Sequence, residues 1–327
     1  MDERIGVAMR IGLRAGRRVA VALSVAAVGA GVLGGPWTIA IRADAPAWMA
    51  GAPLSRTAPA GSSAPVTPFG TAPASTVSAT DVAQAALNAA VPRLVAGRPA
   101  DSVSIVGVDG TSGVRVGWGA HTVMPAASVF KLTLLEGYLL HNQDRGQRTG
   151  DGASAALTAM IENSDNDAAD QVYEALGGRV GVASQMRRLS MSATVLGRDD
   201  QWGLSTTTAA DQSTLLTNLV TSDGPLSAAS REYAAGLMTN VESDQRWGVG
   251  AAADPGSDFA NKNGWLDVDD DDGLWVVSSV GLIEVDGHHV LLAVLTQHNA
   301  DLTDGIHLAQ SLSRAVASAL RGTTAPG

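Results

Sequence analysis

Ser128 and Lys131 stand three residues apart, where the loop Met124-Pro125-Ala126-Ala127 runs into a stretch of helical spacing from Ser128 to Leu140. On a helix this spacing puts the hydroxyl and the amine on one face, a turn apart. The serine falls at the helix N-terminus. There, unpaired N–H groups and the positive end of the dipole favour a developing anion. A serine hydroxyl becomes nucleophilic when a base lies within hydrogen-bond reach. A lysine whose pKa is lowered by burial can be that base. The chemistry on offer is attack on a carbonyl to form an acyl-serine. An N-cap serine followed by a solvated lysine would have the same letters, so composition helps decide. Of 22 basic residues 20 are arginine; the two lysines are Lys131 and Lys262. Arginine stays charged near neutral pH, whereas a desolvated lysine can lose its proton. A chain that uses arginine for plain charge keeps lysine where arginine cannot do the work; codon bias is the competing reason.

Two more groups carry polar chemistry. Ser164-Asp165-Asn166 lies between two helical stretches, where a hydroxyl and an amide could relay a proton and hold a substrate amide. Read as plain structure, it is an interhelical turn with Asp or Asn capping the next helix. Lys262-Asn263-Gly264 lies just ahead of two C-terminal strands. A cation beside a glycine on a strand edge lets a ligand carboxylate approach both charge and backbone; otherwise Lys262 is a solvated loop residue.

Ser-x-x-Lys, then Ser-Asp-Asn, then Lys-(Thr/Ser)-Gly is the ordered signature of class A β-lactamases and penicillin-binding proteins. The chain resembles an actinobacterial relative of the class A enzymes over about residues 81–322, and both of its lysines fall in the expected motifs. Met160–Leu176 resembles the family's SDN helix, and Ser205-Thr206-Thr207-Thr208-Ala209-Ala210 the stretch after its active-site loop. The resemblance implies that Ser128 is the nucleophile and Lys131 the acylation base. It implies that Ser164 carries the proton to the leaving nitrogen, helped by the field of Lys262. Asn166 would bond a substrate amide and Lys131. Asn263, Gly264 and Trp265 would bind substrate, with the backbone N–H groups of Ser128 and Trp265 as the oxyanion hole. No metal or cofactor is called for. The ligand would be a small β-lactam or a peptidoglycan stem peptide.

Three departures qualify this. Asn263 replaces the family's Thr or Ser, and Trp265 narrows the pocket. The interval from Ser128 to Ser164 is short, so the helical lobe should be trimmed. Met191 to Leu204, where the family carries a water-activating glutamate, holds only Asp199 and Asp200 as acids. Acylation with slow deacylation is the expectation. A sensing or binding protein without turnover, or a D-Ala-D-Ala peptidase, would share the same motifs.

The elements that must position these residues are read from periodicity. Asp81 caps a helix running to Val91. Ser102–Val108 and Gly113–Gly119 are strands joined at Asp109-Gly110. Helices follow at Ser128–Leu140, Leu157–Glu162, Asp167–Leu176, Gly181–Leu189, Ala209–Val220 and Ser227–Met238. Trp275–Glu284 and Val290–Thr296 are strands turning at Asp286-Gly287, and Asp304–Leu320 is the last helix. This order gives an α/β (α+β) domain over 81–323. An antiparallel sheet of about five strands is flanked by helices, with an inserted all-helical lobe.

The ends have a different character. Residues 1–42 hold six arginines against two acids, and Val19–Ile41 is an uncharged run long enough to span a bilayer. Residues 1–18 read as a cytoplasmic basic segment and 19–41 as an anchor or a cleavable signal. Residues 42–80, rich in Ala, Pro, Ser and Thr, read as a flexible linker. The domain would then lie outside the cytoplasm, membrane-anchored or secreted. The net charge of −10 argues against a nucleic-acid partner, and the absence of cysteine removes disulfides and thiolate chemistry. The Gly29–Gly34 match to G-x-G-x-x-G lies in the apolar run with no strand before it. The Asp267–Gly273 acidic run has Asp272 where a calcium loop needs glycine, so it reads as a solvated hairpin.

Overall fold

The computed structural model describes residues 77–147, 151–268, 271 and 273–321. The basic segment 1–18, the apolar run 19–41 and the linker up to residue 76 lie outside them. No helix among the described residues is long and apolar enough to cross a membrane.

The strands β1 (Val103–Asp109), β2 (Arg115–Trp118), β3 (Met124–Pro125), β4 (Thr206–Thr207), β5 (Ala260–Val268), β6 (Leu274–Val285) and β7 (His288–Asn299) form two sheets. The main one is antiparallel in the order β2-β1-β7-β6-β5; β3 and β4 pair separately. The β6–β7 hairpin turns at Asp286 (φ 50°) and Gly287 (φ 73°), both left-handed, as an Asp-Gly turn between twisted strands favours.

Helices cover both faces. On one side lie α1 (Ala79–Leu94) and α8 (Leu302–Arg321). On the other is the lobe of α2 (Phe130–Asp144), α3 (Asp151–Glu162), α4 (Asn166–Ala175), α5 (Gly178–Arg188), α6 (Ala209–Val220) and α7 (Ala228–Thr239). Strand periodicity explains why β7 is apolar without a break from Val290 to Leu295. Val290, Leu292 and Val294 enter the core under α1 and α8, while Leu291, Ala293 and Leu295 enter the core under the lobe. On α8, burial of Gly305, Leu308, Ala309, Leu312 and Val316 follows the three-to-four spacing of one buried face.

Two expectations shift. The cap of α1 is Ser78, not Asp81; Asp81 sits three residues in and completes a reciprocal capping box with Ser78. The fifth strand is Ala260–Val268, so Lys262-Asn263-Gly264 lies within a strand at the sheet edge rather than ahead of one. Its polar start, Asn261-Lys262-Asn263-Gly264, has poor strand propensity. Pairing with β6 over nine registered positions holds it extended.

One buried acid gives a stability test. Glu136 on α2 is fully buried; its Oε2 accepts from Asn218 Nδ2 at 3.3 Å, and Oε1 has no partner. Burial raises its pKa well above the ordinary carboxylate value, against the opposing Asn218 bond. The unfolded chain ionises Glu136 from about pH 4 upward while the folded chain keeps the proton, so stability is lost as pH rises. Glu136→Gln is expected to unfold with the wild type near about pH 4 and a few degrees above it near about pH 8. Thermal melts across this range check it.

Candidate active site

The turn that bears Ser128 is fixed from two directions. Pro125 of β3 pairs with Thr206 of β4, and Ala126 N donates to Ser205 O at 2.7 Å. The threonine-rich stretch thus clamps the approach to Ser128. Ser128 itself lies in a one-turn 3-10 helix, Ala127–Val129, that runs directly into α2. Ala127 is left-handed at φ 46°, an uncommon state for a residue with a Cβ, and turns the chain into the helix.

The second direction is β5. Gly264 lies so close to the turn that a Cβ there would sit 2.7 Å from Ser128 N and 2.6 Å from Val129 N. Only a residue without a side chain lets the strand edge and these N–H groups share one site.

Lys131 and Lys262 meet at Ser164. Lys131 Nζ donates to Ser164 O at 2.5 Å, Asn166 Oδ1 at 2.7 Å and Ser164 Oγ at 3.2 Å. Lys262 Nζ donates to the same Ser164 Oγ at 2.8 Å and to Asn263 O at 2.9 Å. Ser164 holds this position through a left-handed backbone, φ 56°, and Asp165 caps α4 through Ala168 N. Both lysines are fully buried. Burial lowers Lys131 to about 7, against the pull of Asp165 and Asp170. Burial, reinforced by the charge of Lys131, carries Lys262 well below the ordinary lysine value. The three protons of a Lys131 ammonium match its three acceptors, and none of those acceptors is Ser128 Oγ. A deprotonated Lys131 gives up one of those bonds and has a lone pair to offer.

The arrangement therefore brings together Ser128, Lys131, Ser164, Asn166, Lys262 and Gly264. Asn263 is buried and turns its amide inward; Nδ2 donates to Gln245 O at 2.8 Å and to Trp247 O at 3.3 Å. Trp265 is half-buried, its ring 5.8 Å from that of Trp247.

Residues 149–320, more than half of the chain, match the beta-lactamase enzyme family. The chain belongs to that family. Ser164 and Lys262 lie inside the matched stretch of this beta-lactamase-family protein; Ser128 and Lys131 precede it. "Putative lipoprotein LppW" of Mycobacterium tuberculosis is 26% identical over 219 residues, covering 64% of this chain and 68% of LppW. Among solved structures, PBP-A is 21% identical with a TM-score of 0.62, covering 72% of this chain and 96% of PBP-A. A beta-lactamase of Xanthomonas campestris is 19% identical with a TM-score of 0.61, covering 74% and 99%. These likenesses give the mixed fold, with its five-stranded antiparallel sheet and helices on both faces.

Neither acid of the 191–204 interval is among the partners of Lys131 or Lys262. Asp200 accepts from Tyr173 Oη at 2.9 Å, lies 3.9 Å from Arg179 and is largely exposed; Asp199 is exposed beside it. The residue that does reach Lys131 is one that motif reading does not single out. Trp202 is buried, with its ring centroid 5.3 Å from Lys131 Nζ and Nε1 donating to Asp170 Oδ1 at 2.6 Å. Asp170 had a signal, because it falls one turn after Asn166 on α4. Trp202 had none, since its contact is made only by the fold.

Proposed function

We propose that this protein is an exported serine hydrolase that a β-lactam, or a related peptidoglycan amide, acylates on Ser128, with slow release. The observation that carries this reading is the convergence of two buried lysines on Ser164 beside the turn that bears Ser128. In the forward step neutral Lys131 takes the Ser128 hydroxyl proton, and Oγ bonds to the carbonyl carbon. The ring C–N bond then breaks, and the leaving nitrogen receives a proton through Ser164 Oγ. While it holds its proton, Lys262 supplies positive field at that hydroxyl and at a substrate carboxylate. Asn166, already bonded to Lys131, has its amide N–H groups for a substrate carbonyl. The N–H groups of Ser128 and Trp265 serve as oxyanion donors, a role the close approach of Gly264 supports. Asn263, with its amide committed to backbone carbonyls, contributes through its carbonyl to Lys262.

The second reading is a penicillin- or stem-peptide-binding sensor that acylates without turnover. Asp200, exposed and held by Tyr173, and the indole over Lys131 favour it. A D-Ala-D-Ala peptidase would use the same groups. Export rests on the arginine-rich start and the apolar run, and is supported by the lipoprotein name of the mycobacterial relative.

The test is labelling of the full chain with a fluorescent penicillin, followed by trypsin. The fragment Val116–Lys131 has one serine, Ser128, and is expected to carry the adduct. No adduct, or an adduct on another fragment, would sink the nucleophile assignment. Sustained rapid nitrocefin turnover without an acyl-enzyme burst would remove slow release and leave an ordinary hydrolase.

A further inference from the structure

Trp202 has a position that neither the motifs nor the proposed acylation step uses. Its short 3-10 helix, Trp202–Leu204, packs against the 3-10 turn Ala127–Val129 that bears Ser128. The same indole lies against the Lys131 ammonium and is pinned from behind by the Asp170 carboxylate. Its backbone is fixed as well, by Trp202 N to Asp200 O and Ser205 N to Trp202 O. The charged groups facing Lys131 are Asp165, Asp170 and Lys262. No acid of the 191–204 interval joins them. The place beside the base and the nucleophile's turn is occupied by an apolar ring rather than by a group that could orient water.

We propose that Trp202, clamped by Asp170, seals the Lys131 side of the site against water and makes the Ser128 acyl-enzyme long-lived. This rests on the acyl-serine reading above. Release requires water oxygen to bond to the ester carbon while a water proton passes to the neutral Lys131 amine. The ester C–O bond then breaks, and Ser128 Oγ leaves with that proton as the free alcohol. The indole takes the volume in which that water would stand beside Lys131. A bulky apolar face also denies the amine hydration, consistent with its lowered pKa near 7. Trp202 is thus a positioning residue: it acts on Lys131 and on water, not on the substrate bond.

The experiment follows adduct decay in the full chain after a pulse of fluorescent penicillin, for the wild type, Trp202→Ala and Trp202→Phe. Trp202→Ala is expected to shorten the adduct lifetime by on the order of tenfold or more, as admission of a base-activated water would. Trp202→Phe retains a ring face against Lys131 and is expected to restore most of the lifetime. An adduct on Trp202→Ala that decays at the wild-type rate overturns the proposal. A second readout is independent of any β-lactam. With two lysines in the chain, lysine-labelled protein gives two side-chain NMR signals, and Lys131→Arg assigns them. The Lys131 midpoint is expected to rise in Trp202→Ala and to stay near the wild-type value in Trp202→Phe; an unmoved midpoint in Trp202→Ala overturns the seal. If the wild type forms no adduct, the acyl-serine reading fails and the lifetime claim falls with it; a midpoint that still rises in Trp202→Ala then supports only the exclusion of water from Lys131. Where Trp202→Ala does not fold, Trp202→Thr, which opens a comparable space, takes its place with the same expected directions.

Discussion

Lys131→Arg is expected to slow acylation of Ser128 by about 10²–10⁴-fold, the range for loss of a general base, while the fold survives. Arginine keeps a positive charge and N–H donors at the position where Lys131 donates to Ser164 O and Asn166 Oδ1, with a larger group in a fully buried site. It cannot become a base near neutral pH. The wild-type rate should rise as pH passes through about 7, where burial has brought the Lys131 ammonium against the opposing pull of Asp165 and Asp170. That rise should be missing from Lys131→Arg. Stability has a matching sign. The folded chain releases the Lys131 proton near 7, and the unfolded chain near about 10.4. Between these values the unfolded state binds more protons, so stability climbs with pH. Arginine removes that contribution. Stopped-flow labelling across pH, with denaturant melts at about pH 7 and about pH 9, measures both effects. Equal acylation rates in the two proteins would exclude Lys131 as the base.

How much of this was readable beforehand depended on whether the signal was local. Ser128 with Lys131 and Ser164 with Asn166 sit in short motifs, so spacing and the rarity of lysine found them. The β6–β7 hairpin was legible because Asp286-Gly287 is a turn written in two residues. Strand β5 escaped because Asn261-Lys262-Asn263-Gly264 looks like a loop until β6 pairs with it. The 3-10 entry to α2 escaped because Ala127 takes a left-handed backbone that alanine does not advertise. Trp202 lay beyond any local pattern. An isolated tryptophan after two aspartates carries no hint of a lysine on another element, and only the packing of its loop on the Ser128 turn brings the two together. The placement of Asp200 was equally non-local: Tyr173 and Arg179, on α4 and α5, are its partners.

Gly264→Ala isolates the other half of the site, the approach of β5 to the Ser128 turn. The added methyl would lie 2.6 Å from Val129 N, 2.7 Å from Ser128 N and 3.2 Å from Ala126 O. All three are backbone atoms, so no side chain can rotate away. Gly264 is not in a left-handed conformation, so alanine is acceptable to the local dihedrals and the cost is steric. Either the strand edge or the 3-10 turn must retreat, and either movement separates the Ser128 and Trp265 N–H groups. Loss of an oxyanion donor costs on the order of 10²–10³-fold in rate, and acylation of Gly264→Ala is expected to fall in that range. Overpacking should cost about 1–3 kcal/mol of stability. Gly236 on α7 provides the contrast, since a Cβ there meets nothing within 4 Å. Gly236→Ala is expected to stabilise the protein by up to about 1 kcal/mol through helix propensity, with the labelling rate unchanged. The same methyl group thus has opposite consequences at the two positions. A Gly264→Ala protein that melts lower but labels at the wild-type rate would show that the close approach serves packing and that the oxyanion donors lie elsewhere.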